Sequence, residues 1–270
     1  ALYHSGYSSY KINNISADFS NNYASSTNYQ AQGGAIYNTY SSSSSSNGIG
    51  NVSGDFIGNY VSALKEAQGG AIYNNNSIDS ITGTFSSNYA KSETTGALGG
   101  AIYNNSNSYA KIGDFINNHV ISAADASGGA IYNTAVANGL ASGTYSGNYV
   151  QGNNAYGGAL YNTSNISNGI KNVSFIDNYA HAEEGGTAQG GAIYTTYDLN
   201  IIADNGTSKF SGNYVQVGDG PKESQAVWLQ GSGTNLTLTA QNNGNIIVDD
   251  TITGQSNYTH QLYLTGDSTG

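Results

Sequence analysis

Four aspartates beside a recurring aromatic motif are the residues best placed to do chemistry: Asp18, Asp55, Asp114 and Asp177. Clustered carboxylates suit the acid–base cleavage of glycosidic bonds. The first three share one repeat position, which elsewhere holds Thr84, Thr144, Ser174 and Lys209. This mixture is typical of a solvated strand surface. The chain also contains no arginine to serve as the base of a polysaccharide lyase.

The remaining acids and the histidines do not favour a metal site. Glu183-Glu184 and Asp249-Asp250 could contribute to calcium binding, but adjacent residues of a strand point in opposite directions. The histidines occupy unrelated repeat positions without metal-ligand spacing: His4, His119, His181 and His260. Cysteine is absent, which excludes thiolate ligands and disulfides. We therefore predict no metal, no cofactor and no catalytic residue.

Composition narrows the partners and the location. The 270 residues carry 17 acids against seven basic residues, all lysine, for a net charge of −10. This balance argues against nucleic acid, and the lack of arginine argues against phosphorylated ligands. No run of about 18 apolar residues occurs, so we predict no transmembrane segment in this chain. A methionine-free chain that begins at Ala1 favours a processed protein, either secreted or on a bacterial cell surface.

Two interleaved motifs organise the chain. Gly-Gly-Ala-Ile-Tyr-Asn or a close variant begins at Gly33, Gly69, Gly99, Gly128, Gly157 and Gly190. An aromatic-x-x-Asn motif begins at Phe19, Phe56, Phe85, Phe115, Tyr145, Phe175 and Phe210. Both recur about every thirty residues, which is typical of a solenoid that stacks one unit.

The short apolar runs within each unit lack helical periodicity and predict about three strands per unit. The fold class that follows is all-β, a right-handed parallel β-helix of about eight coils, with glycine pairs at one corner. We assign residues 1–230 to the repeats. Both motifs fade after Trp228, so residues 231–270 are expected to form terminal coils or a modified cap.

Strand alternation predicts which side chains face inward. The isoleucine of each first motif and the aromatic residue of each second motif are assigned to the core. The asparagines are expected to form two ladders that link the coils. The first contains Asn38, Asn74, Asn104, Asn133 and Asn162, and the second contains Asn22, Asn59, Asn88, Asn118, Asn148, Asn178 and Asn213.

The same alternation directs two columns of tyrosines outward. The first contains Tyr37, Tyr73, Tyr103, Tyr132, Tyr161 and Tyr194; the second contains Tyr23, Tyr60, Tyr89, Tyr149, Tyr179 and Tyr214, interrupted by His119. An exposed aromatic face would suit binding or assembly. Stacking that only stabilises the fold would explain the columns equally well.

The repeated Gly-Gly-Ala-(Ile/Leu) paired with Phe-x-x-Asn resembles the passenger domains of the polymorphic membrane proteins, a family of Gram-negative autotransporter adhesins. The resemblance spans residues 1–230. It implies a non-enzymatic, surface-located adhesin that binds proteins or glycans of host or neighbouring cells, or other copies of itself. Two alternatives stay open: a subunit of an extracellular filament whose coils stack end to end, and, more remotely, a polysaccharide-active enzyme.

Overall fold

The computed structural model describes residues 1–6, 11–40, 48–106 and 111–266 and shows a right-handed parallel β-helix. Each regular coil contributes to four sheets, named A, B, C and D in the order in which the chain meets them. The expectation of three strands per unit is wrong, because sheet D consists of strands of two or three residues. So short a strand has no pattern of its own and forms only by pairing with its equivalents in neighbouring coils.

Sheets A and B run the length of the described chain. Sheet A contains Leu2–Gly6, Ile36–Tyr40, Ile72–Asn75, Ile102–Asn104, Ile131–Asn133, Leu160–Asn162, Ile193–Thr195, Val227–Leu229 and Ile252–Gly254. Sheet B contains Ile12–Ser16, Phe19–Ser20, Ile49–Ser53, Phe56–Ile57, Ile78–Thr82, Phe85–Ser86, Lys111–Ile112, Phe115–Ile116, Leu140–Ser146, Ile170–Ile176, Leu199–Asp204, Thr207–Ser211, Leu236–Gln241, Asn245–Val248 and Leu262–Gly266.

Sheets C and D are shorter stacks. Sheet C contains Tyr23–Ser26, Tyr60–Ala63, Tyr89–Ser92, His119–Ser122, Tyr149–Gly152, Tyr179–Ala182, Tyr214–Val217 and Glu223–Ser224. Sheet D contains Ala31–Gln32, Ala67–Gln68, Ala97–Leu98, Asp125–Ser127, Asn154–Tyr156 and Ala188–Gln189.

The pairing is parallel and places each motif residue on its equivalent one coil away. Ile72 pairs with Ile36 on one side and with Ile102 on the other. Phe85 pairs in the same way with Phe56 and Phe115. Like residues therefore form columns along the rod, as the repeat spacing predicts.

The glycine pair shapes the corner between sheets D and A. Gly69 has a φ of +66°, a left-handed conformation that glycine adopts without steric cost. A Cβ on Gly70 would lie 2.1 Å from the Gly100 carbonyl oxygen and 2.4 Å from that of Tyr89. The second glycine is therefore required because backbone approaches backbone there, both along the stack and across the coil.

That close approach divides the interior into two lobes. The large lobe lies between sheets A and B and is filled by isoleucine and phenylalanine, including Ile72 and Phe85. The small lobe lies between sheets C and D and contains alanine and valine, including Val61 and Ala67. Burial of these apolar side chains, at about 1.5–3 kcal/mol for each large one, favours the folded state.

The small lobe ends before the large one. Sheets A and B continue to Ile252–Gly254 and Leu262–Gly266, whereas the last parallel strand of sheet C in the described chain is Tyr214–Val217. Glu223–Ser224 then pairs with that strand in the antiparallel direction. We call residues 218–225 the roof. Sheets A and B continue on both sides of residue 230. The domain boundary predicted there stays a prediction.

Candidate functional site

The tyrosine column on sheet A is stacked but largely covered. Six successive contacts from Tyr3 to Tyr194 have ring centroids 4.7–5.3 Å apart. Tyr73, Tyr103 and Tyr194 are only 8–9% exposed, and three other members of the column are half-buried: Tyr37, Tyr132 and Tyr161. Tyr73, Tyr103 and Tyr194 are therefore buried, which corrects the expectation of an exposed face at these three positions.

Contacts with two neighbours and with sheet D explain this burial. Both faces of an internal ring are covered by the rings of adjacent coils. Gln32 and Gln68 of sheet D lie close to the side chains of Tyr73 and Tyr103 respectively, in the corner that the glycine pairs form. The column thus packs as a small outer core rather than as a free surface.

Electrostatics in this corner keep the hydroxyls protonated. Burial, together with neighbouring tyrosines, raises the pKa of Tyr73, Tyr132 and Tyr194 above the ordinary value. Burial also raises the pKa of Glu66, which lies near this column. These hydroxyls therefore serve as neutral hydrogen-bond donors across the physiological range.

The tyrosine column on sheet C is more accessible. Its rings stack at 4.7–5.2 Å from Tyr23 to Tyr214, with His119 occupying one place in the stack. Tyr23 is 61% exposed, and the other members are half-buried: Tyr60, Tyr89, Tyr149, Tyr179 and Tyr214. At the far end, the Lys222 ammonium lies 4.2 Å from the Tyr214 ring centroid, within the range of a cation–π contact.

Titration differs along the sheet C column. Burial and the neighbouring tyrosines raise the pKa of Tyr179 to about 12. Burial lowers the pKa of His119, which favours the neutral imidazole at pH 7. A neutral ring can continue the aromatic stack without placing a charge in it.

The second asparagine ladder lies at the turn between sheets B and C. Asn88 donates from its backbone nitrogen and from Nδ2 to Oδ1 of Asn118, at 3.0 and 2.9 Å. Its Nδ2 also donates to the carbonyl oxygen of Phe56 at 2.8 Å. The pattern repeats in each coil through Asn22, Asn59, Asn88, Asn118, Asn148, Asn178 and Asn213. Each internal side chain thus bonds the coils on both sides.

The first asparagine ladder follows sheet A. Nδ2 of each asparagine donates to Oδ1 of the next, at 2.7–2.9 Å, in the order Asn38, Asn74, Asn104, Asn133 and Asn162. The ladder continues to Oγ1 of Thr195 at 3.1 Å. A threonine hydroxyl can both accept this bond and donate onward, and it does so to the Tyr197 carbonyl oxygen.

Asp250 ends the second ladder, a role that sequence reasoning missed. Its Oδ2 accepts from the backbone nitrogen and Nδ2 of Asn213 at 3.0 and 2.7 Å, and its Oδ1 accepts from the Gly212 nitrogen at 2.9 Å. An ionised carboxylate accepts but does not donate, so it terminates a ladder whose donors all point this way. The spacing of 37 residues from Asn213 was the available signal.

The aspartates first considered for chemistry also link coils. Asp18, Asp55 and Asp114 each accept a backbone N–H of the next coil, at 2.7–3.0 Å. Asp177 lies at a left-handed position, with a φ of +55°. Within the described ranges, no group of three or more histidine or acidic side chains is arranged to hold a metal ion. The carboxylates of Asp18, Asp55 and Asp114 thus link neighbouring coils through these hydrogen bonds.

Comparison with known proteins supports the resemblance seen in the motifs. Residues 16–39 and 172–196 match the family model of the Chlamydia polymorphic membrane protein repeat. No curated protein and no solved structure matches the chain. Among the described residues, no helix is long and apolar enough to cross a membrane. Proteins of this family are located in the bacterial outer membrane and at the cell surface. Two segments of the chain are therefore similar to the repeat of the Chlamydia polymorphic membrane protein family.

Proposed function

We propose that this chain is a non-enzymatic, adhesin-type surface module that contacts a cell-surface partner through the tyrosine column of sheet C. The observation that carries the proposal is this half-exposed stack, which runs through seven strands with rings 4.7–5.2 Å apart. The match to polymorphic membrane protein repeats supports a surface role for it.

Stacking determines what such a column can offer. Neighbouring rings cover the faces of internal members such as Tyr89 and Tyr149. Their edges and hydroxyls are therefore the groups turned toward a partner. Tyrosines held in this way provide apolar area and hydrogen bonds with little loss of side-chain entropy on binding. Hydroxyl-rich glycans and extended protein surfaces are the partners that this chemistry suits.

The sheet C column is preferred over the sheet A column because its tyrosine side chains are less covered by other residues. Tyr73 and Tyr103 of sheet A contact Gln32 and Gln68. On sheet C, the outward-facing residue two positions after the column residue is short or uncharged in several coils, for example Ser62 and Gln151. A partner could therefore approach sheet C without displacing an existing packing layer.

Substitution of three column residues tests the proposal. Tyr89→Thr, Tyr149→Thr and Tyr179→Thr together should lower the attachment of protein-coated beads to cultured animal-cell monolayers by about tenfold, equivalent to about 1.4 kcal/mol. Threonine retains strand propensity, so the fold should be kept. Bead attachment under flow is measured with circular dichroism of the same preparations.

A matched control uses tyrosines outside the columns. Tyr40, Tyr197 and Tyr258 are 45–53% exposed, and their replacement by threonine should leave attachment unchanged. Clumping of beads with one another, measured without cells, separates self-association from attachment to a cell. Equal attachment by both folded triple variants would disprove a role for the sheet C column.

The filament alternative has weaker support. Coils that stack end to end need open sheet edges, but Pro221, Lys222 and Glu223 lie in the roof over the end of sheet C. Negative-stain imaging over a concentration series tests filament formation, and rods that lengthen with concentration would favour it. The enzyme alternative predicts turnover of acidic polysaccharides, which we do not expect.

A further inference from the structure

We propose that the roof is a stop that prevents a second copy of this chain from adding a coil to the small lobe. A parallel sheet edge presents unpaired N–H and C=O groups and can template another strand. Residues 218–225 lie over such an edge at the point where sheets C and D end.

Backbone pairing closes the edge of sheet C. Tyr214 pairs with Ser224 and Val215 with Glu223, in the antiparallel direction. Every earlier coil pairs in parallel at this sheet, for example Tyr179 with Tyr214. The antiparallel segment therefore occupies hydrogen-bonding groups that another parallel coil would need.

Gln225 closes the edge beside sheet D. In regular coils the two glycine nitrogens bond to two successive carbonyl oxygens, as Gly157 and Gly158 do with Gln189 and Gly190. Here Gly190 donates to the Gln225 side-chain Oε1 at 2.6 Å, and Gly191 donates to its backbone oxygen at 2.9 Å. One buried glutamine thus satisfies both donors.

The outer side of the roof is unsuited to further pairing. Pro221 lacks a backbone N–H, and the exposed Lys222 and Glu223 carry charges that a stacked coil would have to desolvate. Lys222 also covers the last ring of the sheet C column, that of Tyr214. At the margin, the Asp250 carboxylate ends the asparagine ladder with an acceptor. The sheet C backbone, the sheet C tyrosine column and the second asparagine ladder therefore all end in the same coil.

Replacement of the roof residues tests the proposal. The variant Pro221→Val, Lys222→Thr and Glu223→Thr presents a neutral strand with a complete set of backbone donors. Its weight-average mass should rise at least about twofold over that of the parent across a concentration series, because about two copies or more then associate. The measurement is sedimentation equilibrium with light scattering.

The control removes the same charges elsewhere. Lys91 and Glu93 form an exposed ion pair at 2.8 Å, and Lys91→Thr with Glu93→Thr keeps the net charge of the roof variant. The control should match the parent in mass. A folded roof variant whose mass also matches the parent would overturn the proposal.

Hydrogen exchange of the unaltered protein gives a second readout that does not depend on folding of a variant. The amides of Gly190, Gly191 and Gln225 should exchange far more slowly than that of an exposed loop residue such as Asn153, because the roof holds them. Exchange of these three amides at the rate of Asn153 would show that the roof is open and would overturn the proposal.

Discussion

At the scale of the residue, asparagine is the side chain that connects one coil to the next. Its amide carries two donors and an acceptor, and the buried ladder uses both kinds of group. Asn118 accepts two bonds from Asn88 and donates to Asn148 and to the Phe85 carbonyl oxygen. Buried polar groups left without such partners cost about 1–3 kcal/mol each, so the ladder is costly to interrupt.

Asn118→Ala should lower the free energy of unfolding by about 3 kcal/mol. It removes the acceptor of two bonds from Asn88 and a donor to the Phe85 carbonyl oxygen at buried positions. Urea denaturation followed by circular dichroism measures the change. Asn153→Ala, at an exposed position, should stay within about 0.5 kcal/mol of the parent. Equal stability of the two variants would contradict a structural role for the ladder.

At the scale of the element, the glycine pair decides how sheets D, A and C meet. The first glycine makes the left-handed turn, and the second allows the backbone of sheet C to approach across the coil. The motif predicts a corner from sequence. That the corner also separates two lobes depends on a contact between Gly70 and Tyr89, which are not neighbours in the chain. Local patterns carry no information on such an approach.

Gly100→Ala should destabilise the fold by about 3 kcal/mol or more. The added Cβ would lie 2.1 Å from the Gly129 carbonyl oxygen and 2.5 Å from that of His119, and backbone cannot move aside cheaply. Gly96→Ala is the matched control, because its Cβ would meet only the Asp125 carbonyl oxygen at 3.5 Å. Thermal unfolding should show a large loss for the first variant and little change or a small gain for the second.

At the scale of the whole molecule, the solenoid is a stack in which each coil contacts its neighbours. Equivalent residues pair one coil apart in all four sheets, as Ile102 does with Ile131. The stability of such a protein is close to a sum over coils and their interfaces. A complete coil should therefore be removable, whereas part of a coil should not.

Deletion of residues 99–127 should give a folded protein, because it joins Leu98 to Gly128 at the position that Gly99 occupies. The rod should shorten by about 5 Å, the spacing between strands. Small-angle scattering and circular dichroism measure length and fold. Deletion of residues 99–112 removes a sheet A strand without completing a turn, and this variant should not fold. The opposite pair of results would contradict the coil as the structural unit.

The repeat spacing alone determined the parallel stack, the core columns and the identity of both asparagine ladders, because identical residues at a common period must meet when coils stack. Three features needed the tertiary structure. Sheet D forms from two-residue strands such as Ala67–Gln68 that have no local preference. Burial of Tyr73 and Tyr103 of sheet A involves residues from another part of the coil. The roof ends the small lobe through contacts that no repeat predicts. In each case the deciding contact lies between segments that the sequence separates, so local patterns could not reveal it.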